Sequence, residues 1–136
     1  VGEYTASTIP PFQHESFADN LRRCQRYFQV IGEGSEKPLG NGHYWETSEV
    51  FLQKDLNTTM RAEPTGVIVT GTNYYRLFRD GGADDLNTFT VNSSSSKETL
   101  TLYASSSHGV TANTKNRPVF LRGMNSSSKI SVDAEL

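Results

Sequence analysis

The sequence predicts an all-β protein: an antiparallel β-sandwich of the jelly-roll type, with about eight strands and one short N-terminal helix. Short runs rich in β-branched and aromatic residues recur roughly every ten residues and are separated by Gly, Asn, Ser and Pro. A parallel sheet would need a crossover helix between successive strands, and the sequence has no such repeated helices. The runs predicted as strands are 27–31, 44–52, 66–70, 74–78, 88–91, 99–103, 119–122 and 130–134.

One amphipathic helix is predicted before the strands, over residues 16–25. Ser16 and Asp19 have the spacing of a capping box, which satisfies free N–H groups at the start of a helix. Cys24 is the only cysteine, so an internal disulfide is excluded and the thiol is expected to pack as a small hydrophobe. It belongs to an apolar stripe at helical spacing that we expect to pack on the core: Phe17, Leu21, Cys24 and Phe28.

Two of the strand runs differ in their pattern of apolar residues. Residues 99–103 alternate between polar and apolar, as a strand with one face in water does. Val67, Ile68 and Val69 are apolar in succession, which predicts a strand at the centre of its sheet, buried on both faces.

Length and composition indicate a single domain. At 136 residues the chain has about the length of one ordinary domain. Residues 1–13, with the pair Pro10-Pro11, are predicted to form an extended arm or linker, and residues 14–136 form the sandwich. The start at Val1 rather than at Met is compatible with a piece cut from a longer polypeptide.

Charge and hydropathy argue against two classes of partner. A net charge of -2 provides no broad basic surface, so nucleic acid is not an expected partner. No run of 18 apolar residues is present, so membrane insertion is not expected. The sequence also lacks a phosphate-binding loop, a dinucleotide-binding glycine motif and a nucleophile elbow, and we predict no cofactor.

Catalytic and metal-binding residues are not expected either. His14, His43 and His108 lack the close spacing of zinc ligands. Asp80-Gly81-Gly82-Ala83-Asp84-Asp85 could clasp calcium, but Asp-Gly is first a turn signal between strands. A glycosidase needs only two carboxylates at a suitable separation, so one alternative remains open. The acids considered for it are Glu46, Glu49, Asp55 and Glu63.

Two aromatic pairs are the candidate ligand-binding residues. Tyr44-Trp45 and Tyr74-Tyr75 place neighbouring rings on opposite faces of a strand, so one ring of each pair should be buried and the other can face outwards. An outward ring could stack on a sugar, while nearby polar groups bind its hydroxyls. The predicted binding residues are Tyr44, Trp45, Tyr74, Tyr75 and Arg76, with Asn41 and Asn73 nearby.

Three strings of the sequence carry a resemblance to a known family. Residues 12–28 resemble the opening pattern F-x-x-R-S-x-x-x-E-L-x-x-C-Q-R-Y-[YF] of a family of bacteriophage virion domains, and they match it most closely from Leu21 to Tyr27. Residues 60–65 are similar to its central M-R-A-x-P-T, and residues 130–136 to its terminal D-A-E-L. The chain departs from the pattern at Asn20, where an acidic residue is expected.

This resemblance implies a jelly-roll domain at the C-terminal end of a tail fibre, tailspike or similar virion protein. The implied assembly is a homotrimer that contacts other virion proteins. The aromatic pairs described above add a host-surface glycan as a possible ligand. The implied location is the phage particle, after synthesis in the bacterial cytoplasm. No established chemistry follows from the resemblance, and we expect no enzymatic activity.

Two other functions remain as alternatives. The same sandwich could be a capsid decoration protein that cements neighbouring subunits and binds no host ligand. It could also be a polysaccharide-degrading tailspike enzyme that uses the carboxylates named above.

Overall fold

The structure is a two-sheet sandwich with one helix on its outside. The computed structural model describes Thr5, Ser7 and residues 15–134, so the predicted arm of residues 1–13, except Thr5 and Ser7, and His14 lie outside the described residues. Helix α1 (Phe17–Gln25) comes first, and a short 3-10 turn (Ser106–His108) follows the eighth strand. The strands are β1 (Phe28–Glu33), β2 (Pro38–Glu46), β3 (Glu49–Asp55), β4 (Thr65–Ile68), β5 (Tyr75–Arg79), β6 (Gly82–Leu86), β7 (Thr90–Val91), β8 (Thr99–Ser105), β9 (Pro118–Gly123) and β10 (Lys129–Asp133).

The strands form a small sheet and a large one. The three-stranded sheet has the order β1-β10-β4, and the seven-stranded sheet has the order β6-β5-β9-β2-β3-β8-β7. Every strand pair in the described chain is antiparallel. The predicted all-β antiparallel sandwich with one short helix is therefore confirmed. The count of ten strands and their uneven division differ from the eight strands of the expected jelly roll.

The core lies between the two sheets. Ile130 and Val132 of the small sheet are fully buried in one cluster with Leu77, Leu102 and Leu121 of the large sheet. Two aromatic residues of the large sheet, Tyr44 and Tyr75, are also fully buried there. The Tyr75 hydroxyl donates to the Val69 carbonyl at 2.5 Å and accepts from the Lys129 N–H at 3.3 Å, which ties the large sheet to the small one.

The run predicted as one strand over residues 44–52 is wrong, because it contains a hairpin turn. Thr47 and Ser48 form the turn between β2 and β3, and Glu46 pairs with Glu49 across it. The glycine-rich segment before it, which had no predicted strand, supplies most of β2. Gly42 permits the tight pairing there, since a Cβ at this position would overlap the carbonyl oxygen of Phe51.

The prediction of a central strand at residues 67–69 is also wrong. The observed strand β4 pairs only with β10 and forms an edge of the three-stranded sheet. Val67 is 56% exposed as a result. Three apolar residues in a row predict burial on both faces only if a second layer covers the sheet, and no described element covers the outer face of this one.

The start of helix α1 is confirmed, but the predicted burial of its apolar stripe is wrong. The Ser16 hydroxyl accepts a hydrogen bond from the Asp19 N–H at 3.2 Å, as the capping box predicts. Cys24 is exposed, and Phe17 and Leu21 are 81% and 44% exposed. Phe28, on β1, is 47% exposed. Strand residues fill the core together with loop residues such as Met60 and Val110, and no residue of helix α1 is buried, so the helix lies outside both sheets.

The turn predicted at Asp80-Gly81 is confirmed. Arg79 pairs with Gly82 across it, and Gly81 takes a φ of 83°, a left-handed conformation that favours glycine. The rest of the acidic segment is strand β6 rather than a flexible loop. In the described chain no group of three or more His, Cys, Asp or Glu side chains is arranged to hold a metal ion.

Candidate functional site: the outer aromatic face

Aromatic side chains cover much of the outer face of the seven-stranded sheet. Strand register places His43, Phe51 and Tyr103 side by side on neighbouring strands, and Phe78 beside Phe120 further across the sheet. Their neighbours along each strand point into the core, because side chains alternate between the two faces. We call this surface the aromatic face and define it by Trp45, Phe51, Phe78, Tyr103 and Phe120.

Trp45 is the most prominent ring of the aromatic face. The register of β2 shifts between Tyr44 and Glu46, so Trp45 occupies an irregularity in the strand with no partner opposite it. Its side chain is 59% exposed and contacts the edge of Phe51, with the two ring centroids 6.3 Å apart and nearly perpendicular. Phe51 in turn packs on Tyr103 at 5.2 Å, and these contacts hold the indole on a rigid support.

A shallow groove of about 490 Å³ runs beside Trp45. Its floor contains aromatic carbon from Trp45 and Phe51, and its rim carries an imidazole, a side-chain amide and hydroxyl groups. The lining residues are His43, Trp45, Phe51, Gln53, Ser94 and Thr101. A flat apolar floor with hydrogen-bonding groups around it suits a ligand that has both an apolar face and hydroxyls. We call it the Trp45 groove.

A second groove, of about 650 Å³, lies on the same face, on the other side of strand β2 from the Trp45 groove. We call it the groove across β2. Phe78 and Phe120 supply its aromatic surface, with ring centroids 6.1 Å apart. Asn41 lines it and stands between Phe120 on one side and Gln53 on the other in the strand register. The two grooves are therefore neighbours, and Asn41 and Gln53 connect them.

The predicted binding residues are not brought together. Tyr44 and Tyr75 are fully buried in the core, and Tyr74 is half-buried against it. Arg76 lies on the outer face, where Asp85 binds it through two contacts of 2.6 and 3.1 Å. Of the five, Trp45 alone lines the groove that bears its name.

Sequence reasoning missed His43, Phe51 and Gln53. The signal for them was present, because residues an even number apart on one strand share a face. The prediction of a single strand over residues 44–52 concealed this signal, because it placed no turn between His43 and Phe51. Once the turn at Thr47-Ser48 is placed, His43 and Phe51 become direct cross-strand partners.

Burial changes the chemistry of Tyr44, which lies directly beneath this face. Burial raises the pKa of its phenol, and the neighbouring Asp84 carboxylate adds to the rise. The phenol donates to the Thr111 carbonyl at 2.9 Å and therefore stays protonated at neutral pH. Its role is to pack the core and anchor the segment around Thr111.

Asp84 is a buried carboxylate that accepts four hydrogen bonds. Burial by itself acts to raise its pKa, but donors outweigh burial and the net pKa is lowered. Arg79 donates to it at 3.0 and 3.3 Å, and the Thr111 N–H and hydroxyl donate at 2.9 and 2.7 Å. All of these donors are structural, and they fix the connection after β8 to strand β6.

The four acids considered for catalysis lie apart from both grooves. Glu46 binds Lys115 at 2.6 Å, and its cross-strand partner Glu49 sits at the β2–β3 turn. Asp55 accepts a hydrogen bond from Thr99 at 3.4 Å, and Glu63 is exposed in the connection before β4. None of the four lines the Trp45 groove or the groove across β2.

His108 and two serines form a polar cluster at the end of β8. The Ser105 hydroxyl lies 3.2 Å from the His108 Nδ1 atom, and that atom also accepts the Ser105 backbone N–H at 3.1 Å. The second serine, Ser107, has its hydroxyl 3.5 Å from the same Nδ1 atom. Because the backbone bond occupies the Nδ1 lone pair, that nitrogen is poorly placed to take a proton from Ser105 or Ser107. The cluster caps the short 3-10 turn.

The three strings that carry the family resemblance meet at one corner of the small sheet. The Arg61 N–H donates to the Arg26 carbonyl at 2.9 Å, and its guanidinium lies 5.5 Å from the ring centre of Tyr27. The Ala134 N–H donates to the Tyr27 carbonyl at 2.7 Å. Segments far apart in sequence thus share one set of contacts.

A buried amide completes this corner. Gln29 is 2% exposed and uses its side chain to join three segments. It donates to the Gln25 carbonyl at 3.0 Å and the Thr58 carbonyl at 2.7 Å, and it accepts the Asn57 N–H at 2.9 Å. A buried amide satisfied in this way fixes the end of helix α1 against the loop before β4.

Comparison with known proteins finds no matching family model, no similar curated protein and no similar solved structure. Among the described residues, no helix combines the length and apolar character needed to cross a membrane.

Proposed function

We propose that this chain is a non-catalytic recognition module of a bacteriophage virion, of the tail-fibre or tail-tip type, which attaches the particle to a glycan on the host surface. The binding surface is the aromatic face, with the Trp45 groove at its centre. The observation that carries the proposal is an exposed tryptophan supported by a second ring and surrounded by neutral hydrogen-bonding groups.

The chemistry of the Trp45 groove supports a sugar ligand. One face of a pyranose ring presents C–H groups that pack on an indole, while its hydroxyls need donors and acceptors at the sides. Gln53 offers both a donor and an acceptor, and Ser94 and Thr101 add hydroxyls. The groove is open, which suits a chain of sugars better than a small molecule that must be enclosed.

The phage assignment rests on the sequence resemblance, and the meeting of its three strings supports it. If the strings were chance matches, nothing would require them to touch after folding. Arg61 from the second string contacts Arg26 and Tyr27 of the first, and Ala134 from the third contacts Tyr27. Contacts among these three segments are expected if the chain has the fold of the virion family that it resembles.

Replacing the tryptophan tests the glycan proposal. We expect Trp45→Ala to weaken binding to a glycan array of bacterial surface polysaccharides at least about tenfold, as loss of a central aromatic contact does. Phe17→Ala is the matched control, because it removes another exposed ring, on the helix, and it should leave the affinity for a monovalent oligosaccharide unchanged, whereas Trp45→Ala should lower that affinity. Equal binding by the wild type and Trp45→Ala, or no binding by the wild type, would contradict the proposal.

We propose further that the module acts as a homotrimer. Exposed apolar side chains of helix α1 and of the outer face of the small sheet supply the surface that a second copy would cover. They are Phe17, Leu21, Phe28, Val30 and Val67. Three copies would also present three Trp45 grooves together, so that weak single contacts add through avidity.

Light scattering tests the assembly separately from glycan binding. We expect a mass near three subunits for the wild type and near one for Leu21→Asp, which places a charge on the apolar stripe. Trp45→Ala should remain trimeric, and monomeric Leu21→Asp should keep its affinity for a monovalent oligosaccharide. A wild-type mass of one subunit would rule out the trimer and leave the glycan proposal standing.

A further inference from the structure

The aromatic face carries one arginine without a carboxylate partner. Arg76 and Arg117 are bound by Asp85 and Asp80, at 2.6 and 3.2 Å. Arg122 pairs with Arg76 in the strand register, and its side chain makes no hydrogen bond and no ion pair within the described chain. Two arginines beside one aspartate leave a net charge of +1 at this end of the face.

Arg122 is held in place by a ring rather than by an anion. Its guanidinium carbon lies 4.6 Å from the ring centre of Phe78, a cation–π distance that fixes the plane of the group. The Nε atom is buried and has no partner. The side chain as a whole is only half-buried, so the two terminal nitrogens are the donors that a ligand would meet.

Arg122 stands at one end of a row of side chains that crosses the outer face to Trp45. Phe78, on which Arg122 stacks, packs against Phe120 in the groove across β2. From there Asn41 and Gln53 lead to the Trp45 groove. Along β2, Trp45 is four residues from the level of Phe120, which is roughly 13 Å at the rise of a strand. A ligand reaching from Trp45 to Arg122 must therefore be an extended chain.

We infer that the ligand of the aromatic face is an acidic polysaccharide, whose carboxylate or phosphate group binds Arg122 while its sugar rings lie on Trp45 and Phe120. This inference rests on the proposed glycan function and names its substrate class. A guanidinium forms paired hydrogen bonds with either anion. A neutral polysaccharide would leave the charge of Arg122 uncompensated.

The test uses bacterial surface polysaccharides in matched native and neutralised forms, measured by biolayer interferometry with the full chain. Uronic acid polymers are compared with their carboxyl-reduced forms, and phosphate-containing polymers with their dephosphorylated forms. These two arms show which anion is bound. We expect neutralisation to weaken binding about 10- to 100-fold, the effect of losing a charge-assisted hydrogen bond.

The Arg122→Gln variant should bind the native polymer more weakly than the wild type by the same factor. Neutralising the polymer should then weaken its binding no further. Arg122→Lys keeps the charge but lacks the planar donor fork, and should restore part of the affinity. Arg22→Gln is the matched control, since it removes an equal charge from helix α1. Thermal melting of each variant shows that the fold is retained.

Two results separate this inference from the proposed function. If neutralised polymers bind as tightly as native ones, or Arg122→Gln behaves like Arg22→Gln, while Trp45→Ala still loses binding, then the face binds neutral glycans and only the acidic class is overturned. If no polysaccharide in either form binds, the glycan function and the acidic class are overturned together.

Discussion

Neighbouring residues on a strand of this protein have opposite roles. Tyr44 is fully buried and donates its hydroxyl to Thr111, whereas Trp45 projects from the other face and is 59% exposed. The same contrast separates Leu121 from Phe120 on β9. The residue type alone does not decide which aromatic side chain is accessible to a ligand. The side of the strand on which it lies decides that, because only one face of each sheet meets the core.

Asp84 is the residue for which stability should depend on pH. Its pKa in the folded protein is below the ordinary value of 3.8, so its contribution is fully present above that value and is lost as the pH falls through the folded pKa. We expect Asp84→Asn to lower the free energy of unfolding at pH 7 by about 1–3 kcal/mol. Below about pH 4 the difference from the wild type should shrink.

Urea unfolding at neutral and acidic pH measures this difference. Asp85→Asn is the control, because Asp85 binds Arg76 at the surface and a partly exposed ion pair contributes little. A difference between the wild type and Asp84→Asn that stays constant down to the acid transition would show that the carboxylate does not act as described.

At the scale of elements, helix α1 shows that an amphipathic pattern does not guarantee burial. Its stripe has the spacing of a core-facing helix, yet Phe17 and Leu21 are exposed in the single chain. A helix buries its apolar side only if another layer is free to receive it. Here strand and loop residues already cover the inner faces of the sheets, and helix α1 has no buried residue, so its apolar side lies on the outside.

Two leucine substitutions measure this difference in burial. Leu21→Ala, on the helix, should change the free energy of unfolding of the monomer by less than about 0.5 kcal/mol, since surface substitutions rarely exceed that. Leu121→Ala, in the core strand β9, should cost about 2–5 kcal/mol. Chemical denaturation at a concentration that yields monomer compares the two. A large loss for Leu21→Ala would mean that the helix packs on the chain after all.

At the scale of the whole molecule, one continuous core joins two sheets of unequal size. Three strands cannot cover seven, so much of the large sheet depends on loops such as the one containing Val110 for its cover. Ile130 and Val132 of the small sheet belong to the same buried cluster as the leucines of the large one. Neither sheet has a core of its own.

A shared core predicts a single cooperative unfolding transition. Fluorescence of the only tryptophan, Trp45, reports on the large sheet, while circular dichroism reports on all strands. We expect the two signals to change at the same denaturant concentration, as they do when no intermediate is populated. Two separate midpoints would indicate that the small sheet and helix α1 unfold independently.

Part of the candidate site could be predicted from the sequence. Adjacent aromatic residues at 44 and 45 indicated that one ring would face outwards, and Trp45 does. The groove partners could not be found in the same way, because His43 and Phe51 become neighbours only through the β2–β3 hairpin. The contact between Arg122 and Phe78 needs the pairing of β5 with β9, which are separated by more than thirty residues in the sequence.

The sequence by itself determined the class of fold, the helix start at Ser16 and the turn at Asp80-Gly81, because these depend on local backbone preference and on the spacing of apolar residues. Only the tertiary structure decided which strands are edges, which face of the helix meets water and which rings share a groove. These depend on what lies opposite each surface after folding. Local patterns in the amino-acid sequence do not contain that information.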